Sequence, residues 1–182
     1  GDDLWFAELL FHELVHRRFY LKGDTRFNES LATAVAREGV RRWLAFQGEP
    51  QRAAVLGRRD QSRARFLTLI GDTRTELDIL YRSGRSEPGM REAKAAIFGD
   101  LRQRYRQMLA NDPGLAGYQY WFDGPLNNAT LNMVSDYHDQ VPAFDALILR
   151  CGGHWPCFWE EVTRISRLPP PERAALIESL ND

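Results

Sequence analysis

His12-Glu13-Leu14-Val15-His16 reads H-E-x-x-H and lies in a run, residues 3–20, whose pattern predicts a helix. Residues four apart share one face of a helix, so His12 and His16 can direct their imidazoles to one metal ion. Glu13 stands beside the first histidine, where its carboxylate can reach a water molecule at that metal. This pattern is typical of zinc hydrolases, in which the glutamate is the general base.

Large apolar side chains surround this motif, and they predict a helix that is buried within a domain. Buried imidazoles and a buried carboxylate need polar partners, and a metal ion is one such partner. The alternative is a pair of core histidines hydrogen-bonded to carbonyl groups, which would leave Glu13 to be neutralised separately. The apolar residues are Leu4, Trp5, Phe6, Leu9, Leu10, Phe11, Leu14, Val15, Phe19 and Tyr20.

A zinc site of this kind needs a third protein ligand, and Glu29 is the nearest candidate. Gly23-Asp24-Thr25 predicts a turn, and Asn28 is predicted to be the N-cap of a second helix that begins at Glu29. The short loop would let this helix fold back so that Glu29 faces the histidines. The alternative is a surface carboxylate that is favoured at a helix N-terminus.

With these residues in place, the sequence resembles the gluzincin metallopeptidases, and most closely the bacterial putative aminopeptidase family. The resemblance covers nearly the whole chain, although Ala36 departs from the acidic residue that the family pattern has there. The matching stretches are Phe11-His12-Glu13-Leu14, Lys22-Gly23-Asp24-Thr25, Phe27-Asn28-Glu29-Ser30, Arg37-Glu38-Gly39-Val40-Arg41-Arg42-Trp43-Leu44, Leu126-Asn127-Asn128-Ala129, Tyr137 and Val141-Pro142-Ala143-Phe144.

The resemblance implies an aminopeptidase that uses zinc (Zn2+) to hydrolyse peptide substrates. His12, His16 and Glu29 would be the metal ligands, and Glu13 the general base. Tyr137 would donate a hydrogen bond to the oxyanion of the tetrahedral intermediate, with a half-buried core tyrosine as the alternative. The resemblance also implies a periplasmic or cell-envelope location, through a lipid anchor that would lie outside this chain.

The remaining pattern predicts an all-α protein with one helical domain over residues 1–182. Apolar residues recur at helical spacing in residues 54–81 and again in residues 93–108, with a turn at residues 83–89, which predicts a long antiparallel helical hairpin. Aromatic residues at 118–122 either line a pocket or close the core. No strand pattern precedes the motif helix, so we expect the chain to be the C-terminal part of a longer protein.

Charge and cysteine content limit the other classes of function. Residues 37–74 carry nine basic and four acidic side chains but lack interleaved aromatic residues, so a solvated helix face is favoured over a nucleic-acid partner. Cys151 and Cys157 flank His154, a spacing that fits a disulfide, two free thiols, or a metal site that still lacks a fourth ligand.

Two classes of function are compatible with the whole pattern. The first is the zinc-dependent peptidase described above. The second is a non-catalytic helical interaction module that is stabilised by zinc and uses the long hairpin to bind a partner. Glu13 favours the first class, because a purely structural zinc site needs no general base.

Overall fold

The computed structural model describes residues 3–138 and 140–180, without the side chains of residues 135–138. These residues form helices and connecting turns, and no strand occurs among them, which confirms the all-α prediction. In the same described part of the chain, no helix is long and apolar enough to cross a membrane. The helices are α1 (Asp3–Arg18), α2 (Thr25–Gln47), α3 (Pro50–Tyr81), α4 (Glu87–Asn111), a 3-10 helix (Pro113–Tyr118), α5 (Gln119–Asp123), α6 (Asn128–His138), α7 (Val141–Arg150), α8 (Trp155–Ser166) and α9 (Pro170–Ser179).

The chain divides into two compact units. The first unit comprises Gly1–Glu49 and Asp136–Asp182, and the second comprises Pro50–Ser135. The first unit therefore joins the two ends of the chain and contains α1, α2 and α7–α9. The prediction of one domain over residues 1–182 stays a prediction.

The core of the first unit is built around the first turns of α2. Phe27 and Leu31 are completely buried there, and the ring of Phe27 meets that of Phe144 edge-on at 5.1 Å between centroids. Phe158 and Val162 contribute the buried stripe of α8 to the same cluster. Each such side chain contributes about 1.5–3 kcal/mol by leaving water, so this core holds the start of α2 firmly in place.

The start of α2 differs from the sequence prediction. Asp24, not Asn28, is the N-cap, and its carboxylate accepts a hydrogen bond from the backbone N–H of Phe27 at 3.0 Å. The predicted cap was wrong because both residues suit a helix N-terminus, and the turn determines which one is used. Gly23 makes that turn with φ of 86°, a left-handed conformation that glycine adopts without strain.

Helix α1 also differs from its prediction, because it is not buried on all sides. Only Leu4 and Val15 are buried, whereas Trp5, Phe6 and Leu14 are 57%, 61% and 52% exposed. The prediction of a fully buried helix was wrong because α1 packs along one stripe against the first unit. Phe11 is partly buried, and the exposed large apolar side chains of α1 are Trp5, Phe6, Leu9, Leu10 and Leu14.

The second unit contains the predicted hairpin, formed by α3 and α4, and buries its aromatic residues. The rings of Tyr105 and Phe122 stack at 3.7 Å, and the Tyr105 hydroxyl donates to the Leu115 carbonyl at 2.9 Å. Burial, followed by the nearby Asp123 carboxylate, raises the pKa of Tyr105. Phe66 stacks on Tyr118 in the same cluster, so part of the aromatic segment closes a core.

The structure resolves the alternatives for the cysteine pair and shows the contacts of two asparagines. Cys151 and Cys157 form a disulfide, so they do not provide thiolate ligands for a metal. The side chain of Asn127 accepts from the backbone N–H of Thr130 at 3.1 Å, as a residue that caps α6 does. Asn128 accepts a hydrogen bond from the Tyr81 hydroxyl. Both asparagines therefore have structural roles within the second unit.

Candidate metal centre

The side chains of His12, His16 and Glu29 meet at one point on the surface of the first unit. The Nε2 atom of His12 lies 3.1 Å from Oε2 of Glu29 and 3.2 Å from Nε2 of His16. The Nε2 atom of His16 lies 3.5 Å from Oε1 of Glu29. These three side chains remain about one-fifth exposed, so the cluster is open to a small ligand.

The two imidazoles are held in a fixed mutual orientation by α1. Their ring centroids lie 4.8 Å apart, and their planes make an angle of 83°. Because the two residues are four positions apart, one helical turn places one ring above the other. The Nδ1 atom of His16 is buried without a hydrogen-bond partner in the described part of the chain.

Asn28 holds Glu29 in position, a role that sequence reasoning missed. Its side-chain amide donates to the Leu21 carbonyl at 2.8 Å and accepts from the Leu21 N–H at 2.8 Å. These two bonds tie the first turn of α2 to the loop that leaves α1. The buried asparagine next to a candidate ligand was the available signal, because a buried amide requires partners.

A second contact holds the same turn from the far end of the chain. The Arg173 guanidinium donates two hydrogen bonds to Oδ2 of Asp24, at 3.1 and 3.0 Å. Arg173 is 8% exposed and also donates to the Leu168 carbonyl at 3.0 Å. The α1–α2 turn is thereby fixed to the start of α9, a link across 149 residues that local sequence patterns cannot show.

Helices α1 and α2 approach each other closely at Gly39. A Cβ atom at this position would lie 3.1 Å from Cγ of Phe11. Phe11 precedes His12, so the missing side chain lets the motif helix lie directly against α2. A larger residue would force Phe11 to move, and the neighbouring His12 with it.

The other predicted site residues, Glu13 and Tyr137, lie on α1 and α6. Glu13 is exposed on α1 beside the cluster. Tyr137 lies in the helical backbone of α6, but its side chain lies outside the part that the structure describes, so its role stays a prediction. Two acidic residues near the cluster in sequence are occupied by ion pairs: Asp24 pairs with Arg173, and Glu38 pairs with Arg41 and Arg42.

Comparison with known proteins gives a family that matches almost the entire chain. The family described as Putative aminopeptidase matches residues 2–177. The chain belongs to this family. No curated protein and no solved structure matches it. The family description suggests a peptidase with a peptide substrate, and the matched region includes every residue of the cluster.

Proposed function

We propose that this member of the Putative aminopeptidase family is a zinc-dependent peptidase, with His12, His16 and Glu29 as metal ligands. The observation that carries the proposal is the convergence of two Nε2 atoms and a carboxylate at 3.1–3.5 Å from one another. No other trio of histidine, cysteine or acidic side chains in the described residues forms such a cluster.

The donor set and its spacing fit zinc. Bonds of about 2.0–2.1 Å in a tetrahedral arrangement place neighbouring ligand atoms roughly 3.3 Å apart. If both Nε2 atoms bind a metal, both must offer a lone pair, and each Nδ1 then carries the hydrogen. Two neutral histidines and one carboxylate match catalytic zinc sites, which leave a fourth position open. The partial exposure of the three side chains is consistent with such an opening.

In the proposed reaction, the metal and the protein side chains have separate roles. When bound, zinc would polarise the peptide carbonyl and make water acidic enough to be deprotonated near neutral pH. Glu13 accepts a proton from the attacking water and later donates it to the leaving amine. His12 and His16 hold their orientation through the helix, and Glu29 through the Asn28 contact with the loop.

The proposed role of Glu13 can be tested without disturbing the ligands. We expect Glu13→Gln to retain the metal but to lower turnover of aminoacyl and short peptide substrates by about 10²–10⁴-fold, as expected when a general base is lost. Glu178→Gln is the matched control, because Glu178 is an exposed residue of α9 in the same unit. Turnover by Glu13→Gln at the control rate would rule out the proposed base.

A further inference from the structure

A wide groove crosses the first unit between α1, α2 and α8. Its volume is about 1270 Å³, and most of its surface is apolar. Phe46 projects from α2 with 89% of its surface exposed. Isolated apolar residues are normal on a surface, but a continuous aromatic groove marks a binding site. The aromatic residues that line it are Phe11, Trp43, Phe46, Trp155 and Trp159.

The same groove is basic. Arg18, Arg42, Arg164 and Arg167 line it, against the single carboxylate of Glu160 among its described lining residues. Glu38 neutralises Arg42 in part and Glu161 neutralises Arg164 in part. The net charge is therefore positive, and Arg18 and Arg167 contribute most of it. An occupant with apolar anchors and acidic flanks would complement both properties of this groove.

The guanidinium groups of two of these arginines pack over tryptophan rings. The Arg18 guanidinium lies 4.7 Å from the ring centroid of Trp159, and that of Arg42 lies 4.6 Å from that of Trp155. Arg42 also donates to the Gly153 carbonyl, at 2.6 Å. An ordered guanidinium loses little side-chain entropy when it meets a carboxylate, which favours binding.

The groove lies on a different flank of α1 from the histidine cluster. At about 100° per residue, Phe11 and Arg18 lie roughly 100–160° around the helix from His12 and His16. A ligand in the groove would leave the cluster uncovered. Phe11 nevertheless connects the two sites, because it lines the groove, packs closely against Gly39 and precedes His12 on α1.

We propose that this groove binds an amphipathic polypeptide helix of a partner protein, with apolar anchors flanked by acidic residues. The volume exceeds the roughly 300–1,000 Å³ of small-molecule pockets. The groove runs between three helices, an arrangement that suits one face of a further helix, as in other helix-in-groove complexes. The proposal does not depend on the presence of zinc.

The test uses two synthetic helical peptides of roughly 15 residues, with Leu and Phe at helical spacing. One carries Glu on both flanks of its apolar face, and the other carries Lys at the same positions. We expect the acidic peptide to bind the full chain, to change tryptophan fluorescence, and to bind more weakly as salt increases. Binding of both peptides with equal affinity, or of neither at about 1 mM, would overturn the proposal.

Variants then locate the binding site. The double variant Arg18→Glu/Arg167→Glu should weaken binding of the acidic peptide by about tenfold or more. Arg82→Glu, at an exposed arginine of the second unit, should change it less than about twofold. Equal affinity in the double variant and the wild type would contradict the assignment. So would tighter binding to phosphatidylglycerol vesicles than to the acidic peptide, because the surface would then be a lipid site.

Discussion

Each unit has an aromatic core, but among the described residues only the first unit contains a cluster of candidate metal ligands. In the second unit, the ring of Tyr105 stacks on that of Phe122, and the ring of Phe66 stacks on that of Tyr118, within one core. In the first unit, Trp5 and Phe46 are left at the surface, and the only cluster of candidate metal ligands among the described residues lies on α1 and α2. We therefore expect changes in the first unit to affect metal binding as well as stability, and changes in the second unit to affect stability alone.

Polar contacts show the same difference. In the second unit, the Ser62 hydroxyl donates to the carboxylate of Asp112 at 2.8 Å, which ties α3 to the end of α4. In the first unit, Asp24 and Asn28 fix the loop that precedes the candidate ligand Glu29. Loss of the Ser62 contact should therefore affect stability alone, whereas loss of the Asp24 or Asn28 contacts should also affect the candidate metal centre.

The largest effect is expected from substitutions in the two cores, and it should differ between them. Phe27→Ala removes a completely buried ring from the first unit, and Phe66→Ala removes a nearly buried ring from the second. Each should lower the free energy of unfolding by about 3–5 kcal/mol. Only Phe27→Ala should also abolish zinc binding, because Phe27 anchors the turn that precedes Glu29. Zinc binding should be measured by titration under conditions in which both variants are folded. Equal loss of zinc binding in the two variants would contradict the difference between the units.

The next effect concerns Tyr137, which lies in the portion of α6 that belongs to the first unit. If it donates to the developing oxyanion, Tyr137→Phe should lower kcat by about 10²-fold with little change in KM. Tyr20→Phe is a suitable control, because Tyr20 is an exposed tyrosine whose ring lies 6.4 Å from that of His16. An unchanged kcat in Tyr137→Phe would show that this tyrosine has only a structural role.

A smaller effect tests the link between the ends of the chain. Arg173→Met removes both hydrogen bonds to Asp24 and leaves that carboxylate without its ion pair. We expect a loss of about 1.5–3 kcal/mol in unfolding free energy, because hydrogen bonds to charged groups are stronger than neutral ones. Zinc affinity should fall as well. Arg150→Met, at an exposed residue of α7, should change neither quantity; a similar loss there would argue against a specific role for the Asp24 contact.

The smallest effect is a change in pH dependence in the second unit. The hydrogen bond from Ser62 is the main cause that lowers the pKa of Asp112, followed by the Gly114 N–H and Arg65. The stabilisation is therefore present above the unfolded-state pKa of about 3.9 and is lost as the pH falls through the lower folded-state value. In Ser62→Ala the folded-state pKa should rise, so the carboxylate should protonate at higher pH, as NMR titration can measure. An unchanged pKa would contradict this assignment.

Much of the fold follows from local sequence patterns, whereas the contacts between distant segments do not. Pro50 and Pro171 lie in the first turns of α3 and α9, where the fixed φ of proline suits a helix. The spacing of His12 and His16 predicts their shared face, since helical periodicity alone sets it. The cap of α2 was misassigned, because Asp24 and Asn28 are both good caps and the choice depends on Gly23 and on the distant Arg173.

Burial of α1 was mispredicted for a related reason. An apolar composition indicates which side chains could be buried, but not which neighbours are present to cover them. The groove was also missed, since its lining combines α1 and α2 with α8, which lies more than 100 residues further along the chain. Contacts between distant segments determine the burial of α1 and the lining of the groove, and local periodicity does not show such contacts.

Metal content of the purified full chain tests the central claim most directly. After zinc loading and removal of free metal, we predict one zinc ion per chain in the wild type and none in His12→Ala. His154→Ala, which changes a histidine outside the cluster, should retain the ion. Wild-type protein that retains no zinc, or His12→Ala that retains a full equivalent while remaining folded, would contradict the proposed ligand set.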